Sequence, residues 1–198
     1  IRPRDWSSDV CSSDLDTVRV DPGLHPNDRF VWQREYPTGD LFANISGYYT
    51  FGFGTTQVEK LYDDVLAGRT PQQQLEATGD LFSKTDTSGT VHLTVRNDLQ
   101  ALAKKALAGR EGSVVMLDPR TGAVLAMYSN PTFDPNKVAT HDAGAANDYL
   151  NELNNDPRKP LLANAYQERY MPGSTFKIVT TTVGLETGAL NALSVFPD

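Results

Sequence analysis

Tyr170-Met171-Pro172-Gly173-Ser174-Thr175-Phe176-Lys177 places a serine and a lysine three residues apart where a helix is expected to begin. Pro172 and Gly173 break the preceding structure, Ser174 is a capping residue type, and Phe176, Ile178, Val179 and Val183 supply an apolar face for a buried helix. Positions i and i+3 share a helix face. The Lys177 amine can therefore lie beside the Ser174 hydroxyl and, where burial lowers its pKa, accept its proton. That is the lysine variant of activated-serine catalysis. A Ser-x-x-Lys match arises about once by chance in a chain of this size, usually as a helix cap followed by a solvated lysine. Context separates this one: Gly173 permits a sharp backbone entry, and the mostly apolar helix is expected to stop near Glu186-Thr187-Gly188.

The 198 residues are enough for one full domain or one and a fraction. With 39% hydrophobic and 22% charged residues the composition is that of a soluble globular chain. The net charge of −7 argues against a nucleic-acid partner, which would need a basic stripe. No apolar run approaches the length of a membrane span, and the first 15 residues lack the apolar centre of a signal peptide. The single cysteine, Cys11, has no internal partner. His25, His92 and His141 are isolated, so neither a metal nor another cofactor is expected.

Outward from the Ser174 helix, residues 1–15 carry a repeated Ser-Ser-Asp without periodicity and read as a non-native or disordered leader. Residues 16–88 read as a separate β-rich module. Phe30-Val31-Trp32 and Leu41 to Thr50 are expected to be extended, the aromatics from Tyr48 to Phe53 to fill a core or line a domain contact, and Thr55 or Thr56 to cap a helix running to about Ala67. Its apolar face is Val58, Leu61, Tyr62, Val65 and Leu66. Gln72 to Gly89 reads as a polar linker. A strand is then expected over Val91–Val95, followed by a helix capped by Asn97 or Asp98 and ending at Ala108, with Leu99, Leu102, Ala103, Ala106 and Leu107 as its apolar stripe. Ser113–Leu117 and Ala123–Tyr128 read as strands of a hairpin closed by Asp118-Pro119-Arg120-Thr121-Gly122. Asn130 to Glu168, rich in Pro, Asn and Asp, reads as loop-rich and is expected to wrap a surface.

The order of these elements resembles the class B penicillin-binding proteins, monofunctional transpeptidases, in their actinobacterial form. The resemblance rests on Gly89 to Val95, Asp98-Leu99-Gln100, Gly112 to Met127, Asn130-Pro131-Thr132-Phe133-Asp134-Pro135-Asn136 and Tyr170 to Lys177, in that order. Arg34-Glu35-Tyr36-Pro37-Thr38-Gly39, Gly47-Tyr48 and the helix from Val58 to Gly68 are similar to the family's N-terminal non-catalytic domain. The implied fold is α+β: a non-catalytic module over residues 16–88, then the first part of a transpeptidase domain of the serine β-lactamase-like kind over residues 89–198. By resemblance Ser174 is the nucleophile toward a D-Ala-D-Ala carbonyl, Lys177 its general base, and the Ser174 backbone N–H half of an oxyanion hole.

The implied partners are peptidoglycan stem peptides, β-lactam antibiotics and proteins of cell division or elongation. The implied place is the outer face of the cytoplasmic membrane, with the anchor outside these residues. The family's later motifs depart from the match. No Ser-x-Asn occurs, Ser194 is followed by Val195 and Phe196, and Lys84-Thr85-Asp86 is the nearest approach to Lys-Thr-Gly. An N-terminal fragment, inactive as it stands, is therefore expected. A D,D-carboxypeptidase or β-lactamase of the same fold, a β-lactam sensor and a non-catalytic scaffold stay open as alternatives.

Overall fold

The computed structural model describes residues 17–20, 32–50, 52, 54–79 and 89–195. The expected leader at 1–15, Phe30 and Val31, Phe51 and Phe53, and Lys84-Thr85-Asp86 lie outside the described residues. The chain divides into two compact units, Ile1–Glu168 and Arg169–Asp198.

In the first unit, β1 (Thr17–Val20) pairs antiparallel with β2 (Trp32–Glu35). A 3₁₀ turn at Gly39–Leu41 leads into α1 (Ala43–Ser46), all four residues of which are buried. Leu41 to Thr50 is therefore not extended as expected; only β3 (Tyr49–Thr50) is strand, paired with β4 (Gly54–Thr55). The chain turns helical because Phe42 and Ile45 both reach one apolar cluster with Val95, which a straight strand would not allow. The helix expected from Thr56 to Ala67 is two short ones, α2 (Gln57–Leu61) and α3 (Asp63–Leu66). Thr56 sits at the N-cap without capping, because its hydroxyl accepts from Tyr48 N at 3.0 Å instead. Leu61 and Tyr62 are exposed, against the expected apolar face. The first part of the expected linker is α4 (Pro71–Gly79). Residues 16–88 thus carry as many helices as strands among the described residues.

Val91–Val95 forms no strand. Its neighbourhood meets the hairpin through Arg96 N, which donates to Leu125 O at 2.8 Å, and the Thr94 hydroxyl, which donates to Val124 O at 2.7 Å. Helix α5 (Asn97–Leu107) starts after Arg96 with no side-chain cap, since Asp98 is occupied by the Arg96 guanidinium. Leu102 and Ala106 are exposed, and the buried residues of the helix are Gln100 and Ala103. Strands β5 (Gly112–Leu117) and β6 (Val124–Asn130) form the expected antiparallel hairpin, from Gly112 opposite Asn130 to Leu117 opposite Val124. Gly122 N closes the turn on Asp118 O, and Gly122 at φ 74 occupies the left-handed region the turn requires.

The stretch expected to be loop-rich from Asn130 to Glu168 contains α6 (Ala143–Asn155), a helix that the sequence did not lead us to expect. The Asp142 carboxylate caps it by accepting from Gly144 N and Ala145 N. Ala146, Leu150 and Leu153 form its buried stripe, and Leu153 joins Ala43 and Phe133 in a second apolar cluster. Tyr48 packs edge-on against Phe133, with ring centroids 6.0 Å apart, as expected of an aromatic filling a core. A third cluster, Ala103, Ala126 and Tyr128, joins α5 to the hairpin.

The second unit holds a 3₁₀ turn at Gly173–Thr175 running into α7 (Phe176–Glu186), which ends where expected.

Candidate active site

Gly173 sits at φ 53, with open space where a Cβ would be. Glycine is needed there for its backbone angle alone, as the sequence reading expected of a sharp entry. The helical run that follows carries Ser174 in its first turn and Lys177 three residues on. Ser174 is not the helix cap. Thr175 holds that position in α7 and its hydroxyl bonds Pro172 O. Ser174 and Lys177 share one helical stretch and both are exposed. Among the described residues, no hydrogen bond or ion pair engages either side chain. The buried helix face expected around them is open: Phe176, Ile178, Val179 and Val183 are each more than half exposed. The first N–H groups of a helical run have no partner within it, and the Ser174 N–H is one of these by position.

Polar groups that the motif-led reading passed over are concentrated in the first unit. The Gln100 carboxamide is 1% exposed and satisfies three backbone groups: its Nε2 donates to Leu41 O and Met127 O, each at 3.0 Å, and its Oε1 accepts from Met127 N at 2.9 Å. Asn136 does the same for Tyr36, accepting from its N–H at 2.8 Å and donating to its C=O at 3.0 Å. Both are invisible to a search by apolar periodicity, because a buried carboxamide at a core position breaks the pattern it belongs to. Lys104 Nζ meets both carboxylate oxygens of Asp40, at 2.6 and 2.7 Å.

A buried acid–phenol pair lies between β2, β3 and α2. The Tyr36 hydroxyl donates to Glu59 Oε1 at 2.6 Å and accepts from Tyr49 N at 2.7 Å, while Arg34 approaches Glu59 Oε2 at 3.4 Å. Burial pushes the Glu59 carboxyl above the usual carboxylate range, against the pull of Arg34 and Tyr36. Burial, and then the charge of Glu59, push the Tyr36 phenol upward. Tyr128 is raised to about 12 by burial and by Asp40. Among the described residues no group of three or more His, Cys, Asp and Glu side chains could hold a metal ion, and no helix is long and apolar enough to cross a membrane.

Two family models match the chain: the penicillin binding protein A dimerisation domain over residues 22–91 and the penicillin binding protein transpeptidase domain over residues 112–198. The peptidoglycan D,D-transpeptidase PbpA of Mycolicibacterium smegmatis is 40% identical over 167 residues, covering 81% of this chain and 34% of that protein. The peptidoglycan D,D-transpeptidase MrdA of Escherichia coli K12 is 31% identical over 187 residues, covering 80% of this chain and 29% of that protein. Among solved structures, the penicillin G acyl-enzyme complex of penicillin-binding protein A from M. tuberculosis superposes with a TM-score of 0.79 at 31% identity, over 89% of this chain and 41% of that one. The chain thus spans about a third of the length of the curated relatives it matches. With two successive family models accounting for most of its length and a matching fold, the chain belongs to the penicillin-binding protein family.

Proposed function

We propose that these residues are the nucleophile-bearing part of a peptidoglycan D,D-transpeptidase. The observation that carries this is the Gly173 entry, which starts a helical run with Ser174 in its first turn and Lys177 three residues on. It lies inside the segment similar to the transpeptidase domain. In this reading Ser174 Oγ attacks the carbonyl of a D-Ala-D-Ala peptide bond while Lys177 Nζ takes the hydroxyl proton. The tetrahedral oxyanion is met by the Ser174 N–H, helped by the positive end of the helix. Collapse of the intermediate expels D-alanine, which receives the proton from Lys177, and leaves a Ser174 ester. An amine of a neighbouring peptidoglycan strand then attacks that ester, restoring the Ser174 hydroxyl and forming the cross-link.

A β-lactam enters as a mimic of the donor and stays as a slow ester, in keeping with the acyl-enzyme seen in the mycobacterial relative. This chemistry puts the site on the outer face of the cytoplasmic membrane, in reach of peptidoglycan and of division or elongation proteins. Residues 16–88 are the non-catalytic module and residues 89–198 belong to the catalytic domain.

The test uses the chain extended to the length of its mycobacterial relatives, called the extended protein, and fluorescent penicillin. Ser174→Ala abolishes labelling. Lys177→Ala lowers the acylation rate by at least about a thousandfold, since members of one catalytic unit fail together. Lys177→Arg falls nearly as far, because a guanidinium stays protonated. Substantial acylation by the Arg variant would remove Lys177 as the base, and labelling of Ser174→Ala would remove the nucleophile.

A further inference from the structure

Residues 36–45 fall within the match to the dimerisation-domain model, yet the side chains that hold their backbone come from much later in the chain. The Asn136 carboxamide takes both backbone groups of Tyr36, at 2.8 and 3.0 Å. Asp40 O accepts from the Thr132 hydroxyl at 2.9 Å, Leu41 O from Gln100 Nε2 at 3.0 Å and Asn44 O from the Tyr166 hydroxyl at 3.1 Å. Backbone groups that no strand satisfies are thus satisfied by α5, by the stretch after β6 and by the last residues of the first unit. The apolar side chains follow the same course. Phe42 and Ile45 form a cluster with Val95, against which Val124 and Met127 of β6 pack. Ala43 meets Phe133 and Leu153 of α6, and Leu41 packs on the cluster of Ala103, Ala126 and Tyr128. All three apolar clusters therefore run through residues 41–45, where Phe42 is 1% exposed.

We propose that residues 36–45 are a strap of the transpeptidase-like segment, although they precede it in the chain: α5, the hairpin of β5 and β6, and α6 keep their packing only with this strip in place. A two-stranded hairpin is marginal by itself, and the buried residues of α5 are only Gln100 and Ala103. What α5 and the hairpin share without the strip is one small cluster, and Gln100 then loses the Leu41 carbonyl. The structural boundary between the two matched segments accordingly runs inside the first of them. One cooperative unit spans both, so loosening the strip loosens α5, the hairpin and α6 by the same factor. The inference does not depend on the roles of Ser174 and Lys177.

The experiment measures amide exchange, segment by segment, in the extended protein, where exchange follows the opening equilibrium. Phe42→Leu thins the apolar anchor on the strap side, and Thr132→Val removes the hydroxyl that holds Asp40 O from the other side. Phe42→Leu should speed exchange about tenfold, the scale of a modest core truncation, and by the same factor in residues 36–46, α5, the hairpin and α6. Thr132→Val should speed it about fivefold in the same four segments, the size of one hydrogen bond. Faster exchange in residues 36–46 of Phe42→Leu, with α5, the hairpin and α6 at the parent rates, would overturn the proposal, because the later elements would then hold without the strip. Parent rates in all four segments of Phe42→Leu would overturn it as well, since the strip would have no anchor there.

Discussion

From Tyr36 to Thr50, side chains and backbone find partners far along the chain: Asn136 at a separation of 100 residues, Glu59 at 23, Tyr166 at 122. From Arg169 to Val195, the side-chain hydrogen bonds among the described residues all close within two to four residues. Thr180 donates to Lys177 O, Thr182 to Ile178 O and Thr187 to Val183 O, and Ser194 accepts from Asn191 N. The first region is built by tertiary contacts and owes its buried polar groups to them. The second is a helix that satisfies itself. A helix alone can set a serine one turn from a lysine, but excluding water from the pair is beyond its own residues, and α7 accordingly shows its apolar face to solvent.

Gln100→Ala, measured by urea unfolding of the extended protein, tests the long-range side of this contrast most severely. It leaves Met127 N, Met127 O and Leu41 O without partners and opens a cavity, so a loss of about 3 kcal/mol is expected. A loss below about 1 kcal/mol would mean that the carboxamide fills space without joining α5 to the hairpin.

A smaller effect, with a sign that identifies its source, is expected at Glu59. Its folded pKa is raised, so the folded chain holds this proton more tightly than the unfolded one. The stabilisation is complete below the unfolded carboxyl value, about 4.3, and is lost as pH rises through the folded value. The groups facing it are Arg34, Tyr36 and Asp63. Relative to the unsubstituted protein, Glu59→Gln should therefore fare better at pH 7 than at pH 4. Asp98, Asp118 and Asp156, held low by neighbouring arginines and backbone N–H groups, contribute in the opposite sense, losing stabilisation as pH falls. A variant-to-parent difference in unfolding midpoint that stays flat across this range would show that burial does not govern Glu59.

Thr182→Ala marks the small end. Its hydroxyl bonds only Ile178 O within its own helix, and alanine is the better helix former, so stability should move by less than about 0.5 kcal/mol. A cost like that of Gln100→Ala would break the contrast between self-satisfied and tertiary segments.

Where local chemistry suffices, the sequence was readable. Asp118-Pro119-Arg120-Thr121-Gly122 specifies its turn through a proline-set angle and a left-handed glycine, and α7 runs from the Gly173 break to the Thr187-Gly188 stop. Helix α6 was legible too, in the Asp142 cap and the Ala146, Leu150, Leu153 spacing, but its many Asn and Asp residues favoured a loop. Leu41 to Thr50 was not legible, since its β-branched and aromatic residues favour a strand and only the pockets for Phe42 and Ile45 turn it into a helix.

The sequence by itself determined the hairpin and the Ser174–Lys177 spacing, because each depends on residues near one another in the chain, and the family resemblance, because that rests on the order of short segments. Only the tertiary structure decided that Gln100 and Asn136 stand in for backbone partners, that Glu59 is buried against Tyr36, and that Tyr166 is tied to Gln57. A buried polar side chain is defined by partners that folding brings to it, and nothing in its own sequence neighbourhood names them.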